Sequence, residues 1–250
     1  MILFIGHDAS LTGAPKSLLL IIEYVRKNTN VPIEILLGKE GPLFDDYQKL
    51  GKVHVWEKDW YYEPIILKRL NNRLFKTNKV RQKQIIKSIK KKSPTLIFNN
   101  TIANGEILKQ LSFLNIKIIS RIPEMETVIN LYNTKFNNSS EKVLKYTDLF
   151  ISPSKAAKDV LVNSFSVDIN KVEVCYGSIK GISPKKEDLS KLKKDLKIKE
   201  KSFIVGSCGN LGWRKGSDFF LRVAHHLKEE IDIYFLWVGA DINETSYHEF

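Results

Sequence analysis

Met1-Ile2-Leu3-Phe4-Ile5-Gly6-His7-Asp8-Ala9-Ser10-Leu11-Thr12-Gly13-Ala14-Pro15-Lys16-Ser17-Leu18-Leu19-Leu20-Ile21-Ile22 opens the chain with a short apolar run, a polar turn and a second apolar run led by proline. The first run is rich in aliphatic and aromatic residues and too short for a helix, so it reads as a buried strand. Pro15 has no N–H to lose and suits the first turn of a helix, read as Pro15 to Lys27. Gly13 permits a tight bend and close backbone approach. Ala14 caps poorly if it is the residue ahead of the helix, so the free amides of the first turn are open to an anion or a sugar hydroxyl.

Working outward, the same alternation recurs. Strands are read near Ile33 to Leu37, Val53 to Trp56, Thr95 to Phe98, Lys117 to Ser120, Leu149 to Ile151 and Val172 to Cys175. Helices are read at Val80 to Lys91, Ile102 to Leu114 and Lys155 to Asn163. Strand and helix in alternation predict βαβ units and a doubly wound parallel sheet over residues 1–176. Gly177, Gly181, Ser183 and Pro184 break the pattern and mark a linker over 177–184. A second α/β region over 185–250 begins with a basic helical stretch, Leu189 to Leu196. It continues with a strand Phe203 to Gly206, a helix Ser217 to Glu229 with Ser217 as cap, and a strand Ile233 to Val238.

Composition bounds the class. Apolar residues make up 43% and charged residues 27% of 250, which excludes a disordered chain or a disulfide scaffold. Cys175 and Cys208 are expected as buried or half-buried thiols, and no metal spacing emerges from five histidines. The amino terminus lacks a basic leader, and the longest aliphatic run, Leu18 to Ile22, is five residues. Both features read as a cytoplasmic chain.

The net charge of +12 is concentrated. Eleven basic residues and no acidic one lie between Pro64 and Lys92, close behind Trp60, Tyr61 and Tyr62. A solvated helix face accounts for such a block, and so does an anionic membrane surface met by residues 60–92 at the inner face of a cell membrane. No helix-turn-helix, RNP-like or zinc-finger pattern accompanies it, which argues against nucleic acid.

Ligands of open α/β sheets collect at the carboxyl ends of the strands, and three further loops lie there. Asn99-Asn100-Thr101 reads most simply as an N-cap. Arg121-Ile122-Pro123-Glu124-Met125-Glu126 carries two carboxylates that do not share a helix face. Gly206-Ser207-Cys208-Gly209-Asn210-Leu211-Gly212-Trp213-Arg214-Lys215-Gly216-Ser217 fits neither the dinucleotide fingerprint nor a P-loop. Its Arg214 and Lys215 oppose the dipole of the helix that follows, an arrangement better explained by a phosphate or diphosphate between the basic pair and the helix, with a solvated basic turn as the alternative.

Taken in order, His-Asp-Ala-Ser-Leu-Thr-Gly-Ala-Pro at 7–15, Phe-Asn-Asn-Thr at 98–101, Pro-Glu-Met-Glu at 123–126, Ile-Ser-Pro-Ser-Lys-Ala-Ala at 151–157 and Gly-Asn-Leu-Gly-Trp-Arg-Lys-Gly-Ser-Asp at 209–218 resemble glycosyltransferase family 4, retaining enzymes of the two-domain GT-B architecture. The resemblance implies a GT-B-like α/β fold: a doubly wound N-terminal domain followed by the beginning of a second Rossmann-like domain. It implies a nucleotide-sugar donor and a saccharide or lipid-linked acceptor, in cell-envelope or exopolysaccharide biosynthesis, with no cofactor. By position, Gly209, Gly212, Arg214 and Lys215 would hold the donor, and Gly13, Ala14, Asn100 and Glu124 would line the cleft on the acceptor side. Pro123 stands where a histidine is usual in the family. A pair of glutamates separated by seven residues lies further downstream in the family than Phe250, so the resemblance implies a shortened C-terminal domain and leaves the catalytic residues unassigned. The alternative is a non-catalytic remnant that binds sugar nucleotides.

Overall fold

The strand Ile2–Gly6 (β1) sits at the centre of a parallel sheet because its side chains are apolar on both faces. Leu3 and Ile5 point to one core and Phe4 to the other, and all three are buried. A computed structural model of the chain describes residues 1–57, 77–177, 181, 186–209, 211, 215–230 and 232–239. The chain divides into two compact units, Met1–Ser178 and Ile179–Phe250.

In the first unit β1 is followed by helices Gly13–Asn28 (α1) and, after strand Ile33–Leu37 (β2), Phe44–Leu50 (α2). Then come Lys52–Val55 (β3), Thr77–Lys91 (α3), Leu96–Asn100 (β4), Gly105–Leu111 (α4), Lys117–Arg121 (β5), Glu126–Lys135 (α5), Ser139–Tyr146 (α6), Leu149–Ser152 (β6), Lys155–Asp159 (α7) and Val172–Val174 (β7). The seven strands pair in the order β3-β2-β1-β4-β5-β6-β7, and every pairing is parallel. Helices cover both faces. Leu18 and Ile22 of α1 and Tyr47 of α2 pack with Phe4, Ile35 and Leu37. Ile85 and Ile89 of α3, Leu108 and Leu111 of α4 and Val143 of α6 pack with Leu3, Ile5, Leu36 and Ile97. The doubly wound sheet expected from the alternation is the one observed.

Several local expectations are corrected. The helix read as Pro15 to Lys27 begins at Gly13, because Thr12 is still extended (φ −76°, ψ 171°) and is the capping residue. The segment Ile102 to Leu114 is no single helix. Its middle, α4, is flanked by 3-10 turns at Ile102–Asn104 and Ser112–Leu114. A Cβ on Gly105 would stand 2.1 Å from the Ser139 carbonyl oxygen, so only glycine lets α6 pack this close. Lys155 to Asn163 splits into α7 and a π turn, Val160–Ser164. Helices α2, α5 and α6 are additional to the helices expected from the sequence.

The second unit holds a helix Lys186–Asp195 (α8), a strand Phe203–Cys208 (β8), a helix Ser217–His226 (α9) and a strand Ile233–Val238 (β9). β8 and β9 pair in parallel. Phe220 of α9 packs edge-on against Phe235 and Trp237 of β9, with ring centroids 5.4 Å apart in both pairs. Cys175 and Cys208, expected to be buried or half-buried, are exposed free thiols. Each is at the carboxyl end of its strand, where coverage stops. No described helix is long and apolar enough to cross a membrane. Most of the basic block, with Trp60, Tyr61 and Tyr62, lies outside the described residues. Within α3 and just beyond it, Lys79, Lys83, Lys87, Lys90, Lys91 and Lys92 are exposed, while Arg81 turns inward and its Nε donates to the Val55 carbonyl at 2.8 Å.

Candidate functional site

Strand order reverses between β1 and β4: the chain winds from β1 outward through β2 and β3, then returns to the other side of β1. A crevice opens at the carboxyl ends of strands at such a point, since the following loops leave in opposite directions. Two of the four loops singled out above, His7–Thr12 and Asn99–Thr101, flank it.

The turn after β1 is a relay of polar side chains. Asp8 Oδ1 accepts from the Ser10 N–H at 3.0 Å and the Ser10 hydroxyl at 2.9 Å, and Ser10 Oγ lies 2.9 Å from Thr12 Oγ1. His7 Nε2 lies 3.4 Å from Asp8 Oδ1. Burial holds the imidazole below its ordinary pKa against the pull of Asp8, and His7 Nδ1 is buried with no hydrogen-bond partner among the described residues. The turn is pressed against β2's end: a Cβ on Gly38 would stand 2.3 Å from the His7 carbonyl oxygen. Gly13 behaves otherwise than expected. It has no left-handed backbone, and an added Cβ would meet nothing within 4 Å, so here glycine leaves space open rather than admitting protein backbone. No side chain caps the α1 terminus. Thr12 Oγ1 is turned toward Ser10 instead.

Asn100 is not the cap of its loop. Thr101 is, its Oγ1 accepting from the Ala103 N–H at 3.2 Å. Asn100 is fully buried and bridges two loops: its Nδ2 donates to the Ala14 carbonyl at 3.0 Å, and its Oδ1 accepts from Arg121 Nη1 at 3.3 Å. Ala14 thus enters the site through its carbonyl. Arg121 faces Asn100 because β4 and β5 pair in that register. Burial lowers the Arg121 pKa, opposed by Glu124 and Cys175.

Glu124 follows β5. Burial pushes its carboxyl up to about 7, against the opposing pull of its own backbone N–H, the Ile102 N–H and Arg121. Its Oε2 is sealed from solvent without a hydrogen-bond partner among the described residues. Tyr132 of α5 lies within the fields of both Glu124 and Asp8 while burial raises its own pKa. It stacks on Phe136 at 4.7 Å. Glu126, the other carboxylate of that loop, points elsewhere and accepts from the Ser164 hydroxyl at 3.1 Å, so the two carboxylates form no acid–base pair.

A buried scaffold beneath the crevice escaped the sequence reading. Asn99 Nδ2 donates to the Thr101 carbonyl and to Ser120 Oγ, both at 3.1 Å, and Asn104 Nδ2 donates to Asn99 Oδ1 at 2.8 Å. Thr147 gives its hydroxyl proton to the Val143 carbonyl at 2.7 Å, so at 2.6 Å Ser120 must donate to Thr147. Every member is satisfied, which rigidifies the ends of β4 and β5. The one signal in the sequence was a pair of amides closing an apolar strand.

In the second unit Gly209 has φ +142°, and a Cβ there would stand 3.3 Å from the Lys215 stem. The Gly209 N–H donates to the Val238 carbonyl at 2.9 Å and its carbonyl accepts from Trp237 Nε1 at 2.7 Å. The end of β9 therefore clasps the loop at Gly209. Gly212 and Arg214 lie outside the described residues. Gly216, left-handed at φ +70°, caps α9 in place of Ser217, which is the first helical residue and buried. No cluster of three or more His, Cys, Asp or Glu able to hold a metal occurs among the described residues.

No protein-family model matches the chain, and no curated protein does. Solved structures share its fold. Anabaena HepE in complex with UDP-glucose aligns with a TM-score of 0.73 at 17% identity, over 99% of this chain and 63% of its own. A glycosyltransferase from Rickettsia africae aligns at 0.60 and 15%, over 96% of this chain and 69% of its own. A UDP-GlcNAc 2-epimerase from Neisseria meningitidis bound to UDP-GlcNAc aligns at 0.56 and 12%, over 97% and 67%. The chain spans 63% of the length of HepE. It has the α/β fold of the GT-B glycosyltransferases and epimerases.

Proposed function

We propose that the chain belongs to a family 4 glycosyltransferase that moves a sugar from a nucleotide-sugar to a saccharide or lipid-linked acceptor, with retention, in cell-envelope or exopolysaccharide assembly. The observation that carries this reading is the convergence of Ala14, Asn100, Arg121 and Glu124 near the reversal point of the seven-stranded sheet, where His7 Nδ1 and Glu124 Oε2 have no hydrogen-bond partner among the described residues. A polyhydroxylated ligand supplies such partners. The likeness to HepE, solved with UDP-glucose, supports the choice of donor class.

In this reading residues 1–176 carry the acceptor side, with Gly13, Ala14, Asn100 and Glu124 along the cleft, and 177–184 link them to 185–250. There Gly209 and Gly212 let the backbone approach the donor, and Arg214 and Lys215 neutralise the diphosphate as it leaves. Residues 60–92 meet an anionic membrane surface at the inner face of the cell membrane.

Calorimetric titration of the chain with UDP, followed by incubation with UDP-glucose and oligosaccharides and NMR of the product, tests it. Saturable UDP binding and an α-linked product from the α-linked donor are expected. Replacing Arg214 and Lys215 together by alanine is expected to weaken UDP binding by at least about a hundredfold. An epimerised UDP-sugar would assign the chain to the isomerases that share its fold. Binding without any product leaves the non-catalytic alternative, and no saturable heat with UDP overturns the reading.

A further inference from the structure

We propose that Arg121 holds a carboxylate of the acceptor, through the paired N–H groups of Nε and Nη2, and that the acceptor is therefore an acidic saccharide. The inference rests on the glycosyl-transfer reading and adds to it the class of acceptor. Every group it invokes belongs to the first unit.

A guanidinium is costly to bury, and a buried one is ordinarily met by a carboxylate. Arg121 is only 9% exposed, yet no ion pair forms on it among the described residues. Its hydrogen bond runs from Nη1 to a neutral amide oxygen, Asn100 Oδ1, at 3.3 Å. That is long for a bond from a charged donor. Asn100 cannot turn away to do better, since its Nδ2 is engaged by the Ala14 carbonyl at 3.0 Å.

The guanidinium is thus pinned at one tip. Its other edge, Nε with Nη2, makes no hydrogen bond to a described residue, and such an edge is a rigid fork that matches the two oxygens of one carboxylate. The fork is open rather than sealed, because neither nitrogen is among the buried polar atoms without partners. Nη2 faces the exposed chain just past β7. A Cβ added at Gly177 would stand 3.8 Å from it and, chain neighbours aside, would meet no other described atom within 4 Å.

The surroundings set the charge and the carrier of the ligand. Burial lowers the Arg121 pKa even against Glu124 and Cys175, so neither supplies the counter-charge that the site lacks. One unpaired cation with Glu124 already in its field suits a single negative charge better than the two of a phosphate monoester. Tyr176, between Cys175 and Gly177, is exposed and offers an aromatic face for the sugar ring that bears the carboxylate.

The test titrates the 250-residue chain, without nucleotide, with glucuronate and with glucose, which differ only in the carboxylate, and follows binding by ligand-observed NMR. Glucuronate is expected to bind at least about tenfold more tightly than glucose, as one charge-assisted contact implies. Arg121→Gln is expected to abolish the preference, and Arg121→Lys, which keeps the charge and loses the fork, to retain less than about a third of it. UDP affinity is expected to change less than about twofold in either variant, and inorganic phosphate to bind no more tightly than glucuronate. Equal binding of glucuronate and glucose by the unaltered chain, or binding of neither, overturns the inference whether or not the variants fold. So does a preference that persists in Arg121→Gln, or phosphate held more tightly than glucuronate. Loss of UDP in step with glucuronate gives the fork to a diphosphate and overturns it too. Failure of the unaltered chain to bind UDP overturns the nucleotide-sugar reading and the acceptor assignment with it, whereas loss of the glucuronate preference alone leaves that reading standing.

Discussion

The two parallel sheets of this chain are built from strands of similar texture and have opposite fates. β1 and β2 bury four of five residues each, whereas β8 and β9 bury none of their six. Apolar content does not explain the difference, since Ile233-Tyr234-Phe235-Leu236-Trp237-Val238 is as hydrophobic as Ile2-Leu3-Phe4-Ile5-Gly6. The number of layers does. A strand with a neighbour on each side and helices on both faces loses its solvent everywhere. Among the described residues of the second unit, β8 and β9 pair with each other and α9 meets β9 through one aromatic trio, Phe220, Phe235 and Trp237. Hydrophobic strands are therefore necessary for a core, and stacking around them is what makes it.

The largest effect is expected where the layers are complete. Leu36, fully buried on β2 in the core with Leu3, Ile5 and Ile97, loses that packing as Leu36→Ala, at about 2–5 kcal/mol. Leu236→Ala on the half-exposed β9 is expected at no more than about 1 kcal/mol, in proportion to the area it hides. Hydrogen exchange resolved by peptide measures both, and equal losses break the comparison.

A second measurement concerns a polar group inside the well-packed unit. The Glu124 carboxyl titrates at about 7 when folded and near 4.5 in its ordinary state. Between these values the folded chain keeps a proton the unfolded chain has lost. The stability this confers is complete below pH 4.5 and is lost as the pH rises to about 7, by up to about 3 kcal/mol relative to Glu124→Gln. Denaturant midpoints of the two chains that stay parallel across this range would show that the crevice is wetter than the packing around it implies.

In the second unit, Trp237→Phe keeps the ring against Phe220 and removes the Nε1 donor to Gly209. The expected loss is about 1 kcal/mol, confined to exchange around residues 203–209. A loss spread into β1 and β2 would show the units to be energetically one. The smallest effect belongs to Leu221, 66% exposed on α9: Leu221→Ser is expected within about 0.5 kcal/mol of the unaltered chain. A larger loss would mean that this face of α9 is covered in solution.

Local reading served best where one chemical rule acted alone. Ile33 to Leu37, an aliphatic run broken only by Glu34 and set between Pro32 and Gly38, was found to the residue. It served worst at helix starts, where two rules compete. Pro15 marks a first turn, yet Thr12's extended backbone starts α1 at Gly13, and Gly216 rather than Ser217 caps α9 because only glycine takes its left-handed turn easily. Helix α5 was overlooked because Thr127, Val128, Asn130 and Asn133 favour other conformations. It is held by tertiary contacts, among them Ser140 Oγ donating to the Ile129 carbonyl at 2.9 Å.

By itself, then, the sequence determined which segments extend, that they alternate with helices, and that a parallel sheet with ligand-facing loops results, because side-chain period and turn chemistry are properties of neighbouring residues. Tertiary structure alone decided which polar groups meet. Asn100 reaches Arg121 because β4 and β5 pair with those two residues opposite each other, and it reaches Ala14 because β4 inserts beside β1 on the far side from β2. Glu124, which follows β5, meets the Ile102 N–H, which follows β4, and its Oε2 is buried without a partner among the described residues. Such meetings depend on register and burial between residues far apart in the chain, and these are settled by the packing of the whole sheet.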